Sequence, residues 1–170
     1  SYKVRDKDSP ASICLICEIA AWARDNGMTL YDLLMNIYKE YGFSKEVTIN
    51  VVRPGKNGAD EIKQMMTDFR ANPPKELGGA KICLWKDYKT LEAQKADGSV
   101  EKIDMPDTSN VLQWFCEDGT KASVRPSGTE PKIKFYTEVK DPGFKDAADY
   151  ETCLKKAEAK IEAIKKSLNL

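Results

Sequence analysis

Apolar positions change their rhythm along the chain. From Ala11 to Asp25 they are nearly continuous: Ile13, Cys14, Leu15, Ile16, Cys17, Ile19, Ala20 and Trp22. That spacing predicts a helix that is apolar on most faces and wants burial on several sides. Ser9 is a good N-cap, Pro10 suits the first helical position, and Gly27 is placed to stop the run. A second helix is expected at once. Thr29 can cap it with Asp32 as a capping-box partner. Leu30, Leu33, Leu34, Ile37, Tyr38 and Tyr41 keep helical spacing up to Gly42. No strand stands before this helical pair to cover it, so its excess apolar surface points to a missing preceding partner.

After residue 45 the rhythm becomes two. Val47, Ile49 and Val51 alternate with Thr48 and Asn50, the pattern of a half-buried strand. Pro54-Gly55 and Asn57-Gly58 break it. Ile62, Met65, Met66 and Phe69 then recur at helical spacing until Pro73-Pro74. Gly78-Gly79 leads into a strand from Lys81 to Tyr88. Asp97-Gly98 and Asp118-Gly119 are hairpin signals. Ile133, Phe135, Thr137 and Val139 alternate with charged and polar residues, which predicts a strand buried on one face. A last helix is expected from about Asp146 or Ala147 to Ser167, with a stripe of Leu154, Ala157, Ile161, Ile164 and Leu168. The stripe also fits a coiled-coil seam, but two heptads are too few. Strands joined by hairpins with helices set apart predict an α+β domain: a small antiparallel sheet with helices packed on one face, preceded by two helices.

Composition narrows the chemistry. The 170 residues hold 27 Lys plus Arg, 27 Asp plus Glu and no His. Without histidine there is no Ser-His-Asp or Cys-His site and no His-ligated metal within the chain. Zero net charge argues against a nucleic-acid or membrane-surface partner. A chain of this length buries about 70% of the surface its unfolded form exposes, so neither disulfide nor metal is needed to hold it. The five cysteines are an odd number, no signal peptide or membrane-length apolar run is present, and a cytoplasmic, reducing location with free thiols is expected. Cys14-x-x-Cys17 can be a redox pair or half a zinc site. With no second CxxC and no His, two small core residues one helical turn apart are expected instead.

The segment Arg125-Pro126-Ser127-Gly128-Thr129-Glu130-Pro131-Lys132-Ile133-Lys134 is the one dense group of functional side chains, placed as a loop from Arg125 to Pro131 between two strands. Arg125 offers a rigid fork to two phosphate oxygens. Ser127 and Thr129 add hydroxyls, and Gly128 lets the backbone turn so that N–H groups converge in an anion nest. Lys134 lies on the same strand face as Lys132 and brings a second positive charge. The spacing is not that of a P-loop. Ser-Gly-Thr between strands is also a common plain turn, and composition leaves phosphate site and turn both open.

Arg125 to Tyr136, RPSGTEPKIKFY, closely resembles the phosphate-binding loop in the C-terminal domain of the α-D-phosphohexomutases, the family of phosphoglucomutase and phosphomannomutase. Val4-Arg5-Asp6-Lys7-Asp8, followed by the apolar helix, resembles the segment after the sugar-binding loop of that family's third domain. Phosphoglucosamine mutases usually carry Leu and Arg where this chain has Lys132 and Lys134, so the pattern looks most like the phosphoglucomutase/phosphomannomutase branch. The resemblance implies that residues 1–45 are the helical tail of a third domain and 46–170 the C-terminal phosphate-binding domain. It implies an intramolecular phosphotransferase that interconverts hexose 1-phosphate and hexose 6-phosphate through a phosphoserine and a bisphosphorylated intermediate. Arg125, Ser127, Gly128 and Thr129 match the loop that holds the phosphate not being transferred. Lys134 falls where some members have a phosphate-contacting Arg. Lys7 matches a lysine near the reacting hydroxyl, a sugar contact or proton-transfer aid; its other reading is a solvated charge.

The family's phosphoserine loop (T-A-S-H-N-P type) and magnesium loop (D-x-D-x-D-R) have no counterpart here, and Ser1-Tyr2 does not reproduce the G-E-x-S sugar loop. The resemblance therefore implies Mg2+ only in a full-length enzyme, with no metal ligands or cofactor in this chain. It implies phosphorylated hexose and the missing N-terminal domains as partners, and a fragment that is inactive alone. A second reading is a stand-alone anion-binding or interaction module. The coding sequence upstream of Ser1 separates the two.

Overall fold

The computed structural model describes residues 7–170, so the Val4-Arg5-Asp6 part of the second resemblance and Ser1-Tyr2 lie outside the described residues. These residues fall into two compact units. One comprises the chain up to Phe43 together with Pro142–Tyr150; the other comprises Ser44–Asp141 and Glu151–Leu170.

In the first unit, α1 (Ser9–Asp25) and α2 (Leu30–Tyr41) form as their caps dictate. The N-cap of α1 is Asp8, whose carboxylate accepts from the Ala11 N–H at 3.0 Å, rather than the expected Ser9; Ser9 already lies inside the helix. A carboxylate at this end also complements the helix dipole. Gly27 takes φ +69° beyond the end of α1, while the Met28 N–H reaches the Ala23 carbonyl at 2.8 Å, a Schellman closure. Thr29 and Asp32 form the expected reciprocal capping box. Tyr38, Phe43, Phe144 and Tyr150 pack as an aromatic cluster with centroids 5.0–6.4 Å apart. By contrast, α1 buries only Ala23, and Ile13 (62%), Leu15 (58%) and Trp22 (54%) are exposed. Cys14 and Cys17 are exposed too, which corrects their expected place in a core. The apolar pattern makes the helix, but these residues do not supply a surface to cover it.

In the second unit, β1 (Phe43–Val52), of which Phe43 belongs to the first unit, is followed by α3 (Gly58–Ala71), β2 (Glu76–Leu77), β3 (Ala80–Asp87), β4 (Glu92–Lys95), β5 (Val100–Lys102), β6 (Leu112–Cys116), β7 (Lys121–Pro126), β8 (Lys132–Asp141) and α4 (Tyr150–Ser167). The sheet runs β1-β8-β7-β6-β3-β4-β5, with β2 paired to β3. The pairings from β2 through β8 are antiparallel. Both Asp-Gly hairpins form as expected. The β2 strand was not foreseen: Gly78 and Gly79, at φ +54° and +84°, close a two-residue hairpin between Leu77 and Ala80.

Alternation puts Leu112, Trp114, Cys116, Ala122, Val124, Ile133, Phe135, Thr137 and Val139 in one buried row. On α3, Phe69 meets Trp114 and Phe135 of that row edge-on, at 5.3 and 6.0 Å. On α4 the buried stripe is Cys153, Ala157, Ile161 and Ile164, continued by Leu168; Leu154 is only half-buried. The helix begins at Tyr150 after a 3-10 turn at Ala147–Asp149, a few residues later than the expected start at Asp146 or Ala147. The opposite row of the sheet stays polar and partly open, and functional side chains can stand there without loss of core.

Candidate functional site

β7 and β8 lie inside the sheet, flanked by β6 and β1. Their ladder pairs Arg125 with Lys134 and Pro126 with Ile133. Arg125 and Pro126 are thus strand residues, which corrects the loop expected to begin at Arg125. Ile133 is buried, so by pleat geometry Arg125 and Lys134 share the opposite, more open face. Arg125 is exposed and Lys134 half-buried.

Past Pro126 the chain doubles back. The Ser127 N–H donates to the Lys132 carbonyl at 2.8 Å, and the Lys132 N–H donates to the Glu130 carbonyl at 2.7 Å. The Arg53 N–H, just beyond β1, donates to the Pro131 carbonyl at 2.9 Å. Gly128, Thr129 and Glu130 form the exposed tip. Gly128 is not among the glycines with positive φ, and a Cβ there would meet open space. The turn therefore does not require glycine for the left-handed backbone expected of a nest. What its missing side chain provides is open room on the loop's surface.

The loop lines an open cleft of about 940 Å³. Arg125, Ser127, Gly128 and Thr129 all line it; Lys134 is not among its lining residues, although it stands beside Arg125. The facing walls come from Gly55 and the first turns of α3, with Ala59, Ile62 and Lys63, and from Ser109–Val111. Lys63 Nζ lies 3.1 Å from Asp60 Oδ1. Lys7 is exposed ahead of α1 and belongs to the other compact unit.

Glu130 also lines the cleft, and an uncompensated carboxylate there would repel an anion. Lys132 forms an ion pair with it. That hydrogen bond and charge, with a further contribution from Lys134, hold the Glu130 carboxyl below the usual carboxylate range despite slight desolvation. The cleft thus offers the Arg125 guanidinium, the hydroxyls of Ser109, Ser127 and Thr129 and the Lys63 ammonium, with its loop carboxylate already engaged. Those are the groups that an anion site uses. Among the described residues, no group of three or more His, Cys, Asp or Glu side chains is placed to hold a metal ion, and no helix is long and apolar enough to cross a membrane.

Ser109, Asn110 and Lys63 were not singled out from the sequence. The signal for the first two was a run of hydrogen-bonding side chains, Asp107-Thr108-Ser109-Asn110, directly before a strand. Nothing in the spacing of Lys63 distinguishes it from an ordinary solvated helix position.

Residues 49–149 match the family described as phosphoglucomutase/phosphomannomutase, C-terminal domain. The phosphoglucomutase of Staphylococcus aureus strain MRSA252 is 40% identical over 146 residues, which is 85% of this chain and 26% of that protein. That of strain N315 is 38% identical over 145 residues, with the same coverage. The chain spans about a quarter of the length of these curated relatives. Among solved structures, the open form of parafusin, an exocytosis-sensitive phosphoprotein (phosphoglucomutase) from Paramecium, aligns with a TM-score of 0.52 at 17% identity, covering 98% of this chain and 29% of the other. At that identity the likeness is one of fold.

Proposed function

The chain belongs to the phosphoglucomutase/phosphomannomutase family through that family's C-terminal domain, and on that premise we propose that its cleft anchors the non-transferred phosphate of a phosphorylated hexose. The observation that carries the reading is the juxtaposition of Arg125 with Ser127, Gly128 and Thr129 on one cleft wall, with Lys134 as the cross-strand neighbour of Arg125. A phosphate dianion takes a forked pair of charge-assisted bonds from the guanidinium and further bonds from the two hydroxyls. Lys134 adds positive potential beside the fork. Gly128 keeps the wall bare, so a phosphate oxygen can approach the backbone.

In a protein of the relatives' length, the activity proposed is interconversion of hexose 1-phosphate and hexose 6-phosphate. Phosphoryl transfer depends on positioning and on stabilising charge. These residues supply the positioning: they hold one phosphate of the sugar while the other end reacts, and accept either end after the intermediate turns over. Residues 1–45 are read as the tail of a preceding domain, whose remainder would cover the exposed Ile13, Leu15 and Trp22 of α1. Residues 46–170 are read as the phosphate-binding domain. Lys7 is assigned to the sugar near its reacting hydroxyl. The magnesium of a complete protein is read as held by residues outside this chain, and no step here runs through it. The odd number of cysteines suits a reducing cytoplasm.

The test is Arg125→Ala in the complete protein. A charge-assisted hydrogen bond contributes about 1.5–3 kcal/mol, so kcat/KM should fall about 10- to 100-fold while the fold survives; unchanged kinetics would remove Arg125 from the site. The 170-residue chain alone should bind inorganic phosphate through Arg125 without converting glucose 1-phosphate to glucose 6-phosphate, and robust turnover would overturn its assignment as an anchor only.

A further inference from the structure

We propose that Asn110 is a further ligand-contact residue of this cleft, donating to the hydroxylated part of a sugar phosphate, and that Arg70 is the residue that positions it. The proposal rests on the reading of Arg125 as the phosphate anchor and extends it to the rest of the ligand.

Arg70 stands in the last turn of α3 with its side chain 21% exposed. Its Nε donates to Asp87 Oδ2 at 2.8 Å and its Nη2 to Asp87 Oδ1 at 3.3 Å. Nη2 also donates to Asn110 Oδ1 at 2.7 Å. Asp87 Oδ1 in turn accepts from the Lys89 N–H at 2.8 Å. A guanidinium has donors only, so the atom of Asn110 that faces Arg70 must be its oxygen. The amide hydrogens, which Arg70 cannot use, are thereby turned elsewhere, and Asn110 lines the cleft.

The backbone on either side is held as well. The Ser109 N–H donates to the Tyr88 carbonyl, and the Tyr88 N–H to the Val111 carbonyl, both at 3.0 Å. Asn110 is thus an exposed residue between two anchored neighbours, with its side chain fixed by a half-buried ion pair. Packing does not require this, because Phe69 already seats the same end of α3 on Trp114 and Phe135. Ser109 and Asn110 also bring no formal charge to the cleft, whereas Arg125 does. A phosphate is drawn to Arg125, and the neutral amide and hydroxyl match sugar hydroxyls.

The experiment titrates the 170-residue chain with inorganic phosphate and with glucose 6-phosphate, followed by backbone amide chemical shifts. The readout is the ratio of the two affinities, in which long-range charge effects cancel. The unmodified chain should bind the sugar phosphate more tightly. Asn110→Ala should lower that ratio by about fivefold, the scale of one neutral hydrogen bond, and leave inorganic phosphate binding within twofold. Asn110→Asp keeps the acceptor for Arg70 and removes the donor, so it should lower the ratio as much. Arg70→Gln should lower the ratio with Asn110 intact. A ratio unchanged in Asn110→Ala or Asn110→Asp, or no sugar preference in the unmodified chain while phosphate binds through Arg125, overturns the proposal for Asn110 and spares the anchor. Phosphate binding indifferent to Arg125→Ala overturns the anchor, and the proposal with it.

Discussion

Arg125 and Lys134 are direct cross-strand partners, so two cations face each other across the β7–β8 ladder beside the cleft. Like charges in that position destabilise a sheet by about 0.2–1 kcal/mol. An anion bound between them would turn the repulsion into a shared attraction. Lys134→Gln should therefore make the ligand-free domain slightly more stable in urea and bind inorganic phosphate several-fold more weakly. Parallel denaturation curves with and without phosphate check this, since a bound ligand stabilises in proportion to its affinity. A variant that loses stability and keeps its phosphate shift would contradict the arrangement.

Lys132 acts on the loop through Glu130. Lys132→Met should raise the Glu130 carboxyl toward its ordinary range and leave an uncompensated negative charge on the cleft lining at neutral pH. Phosphate binding should weaken, and the deficit should shrink as pH falls and Glu130 takes up its proton. Carboxyl chemical shifts across an acid titration report the first effect, and phosphate affinities at two pH values report the second.

Gly58 opens α3 where a methyl group would collide with the Arg53 carbonyl. The obstacle is backbone, so the turn itself must move. Gly58→Ala should cost about 1–3 kcal/mol, the usual scale of overpacking. Because Gly55 and Ala59 of this turn line the cleft, phosphate affinity should fall with it. Urea unfolding shows the first effect, and equal stability with the parent would refute the close approach.

The five thiols should separate by accessibility. Cys14 and Cys17 are exposed, Cys83 is intermediate, and Cys116 and Cys153 are buried. Burial, with the nearby charge of Asp118, pushes the Cys116 thiol up to about 11. A thiol reagent at pH 8 should label Cys14 and Cys17 first and Cys116 only on unfolding. The raised value also has a stability consequence. Below about 9 the thiol is protonated folded or unfolded and stability is unaffected; between about 9 and 11 only the unfolded chain ionises, so stability is lost as pH rises. Cys116→Ala or Cys116→Val should flatten that part of the alkaline stability curve, as read by urea midpoints.

Much of this was legible in residue order. Ile133, Phe135, Thr137 and Val139 gave β8 its buried face, and Asp97-Gly98 and Asp118-Gly119 marked the two hairpins, because period-two alternation and turn chemistry are local properties. The two-residue β2 carries too little pattern to see; it exists because Leu77 finds a core position beside a Gly-Gly turn. Cys14 and Cys17 were misplaced because helical spacing reports the wish for burial and not the surface that grants it. In the cleft, Arg125, Ser127, Gly128 and Thr129 are neighbours in sequence and could be read together. Asn110 comes to the same cleft through Arg70 and Asp87, 40 and 23 positions earlier in the chain, and such tertiary linkage leaves no spacing to recognise.

The loop that carries Ser127, Gly128 and Thr129 grows from two interior strands and is fastened again by Arg53 to Pro131. An incoming anion therefore has only the three-residue tip, Gly128–Glu130, to immobilise, since both stems are already stilled by the sheet. Recognition by such a loop would be preorganised: most of the conformational entropy of the site is surrendered when the domain folds, long before any ligand arrives.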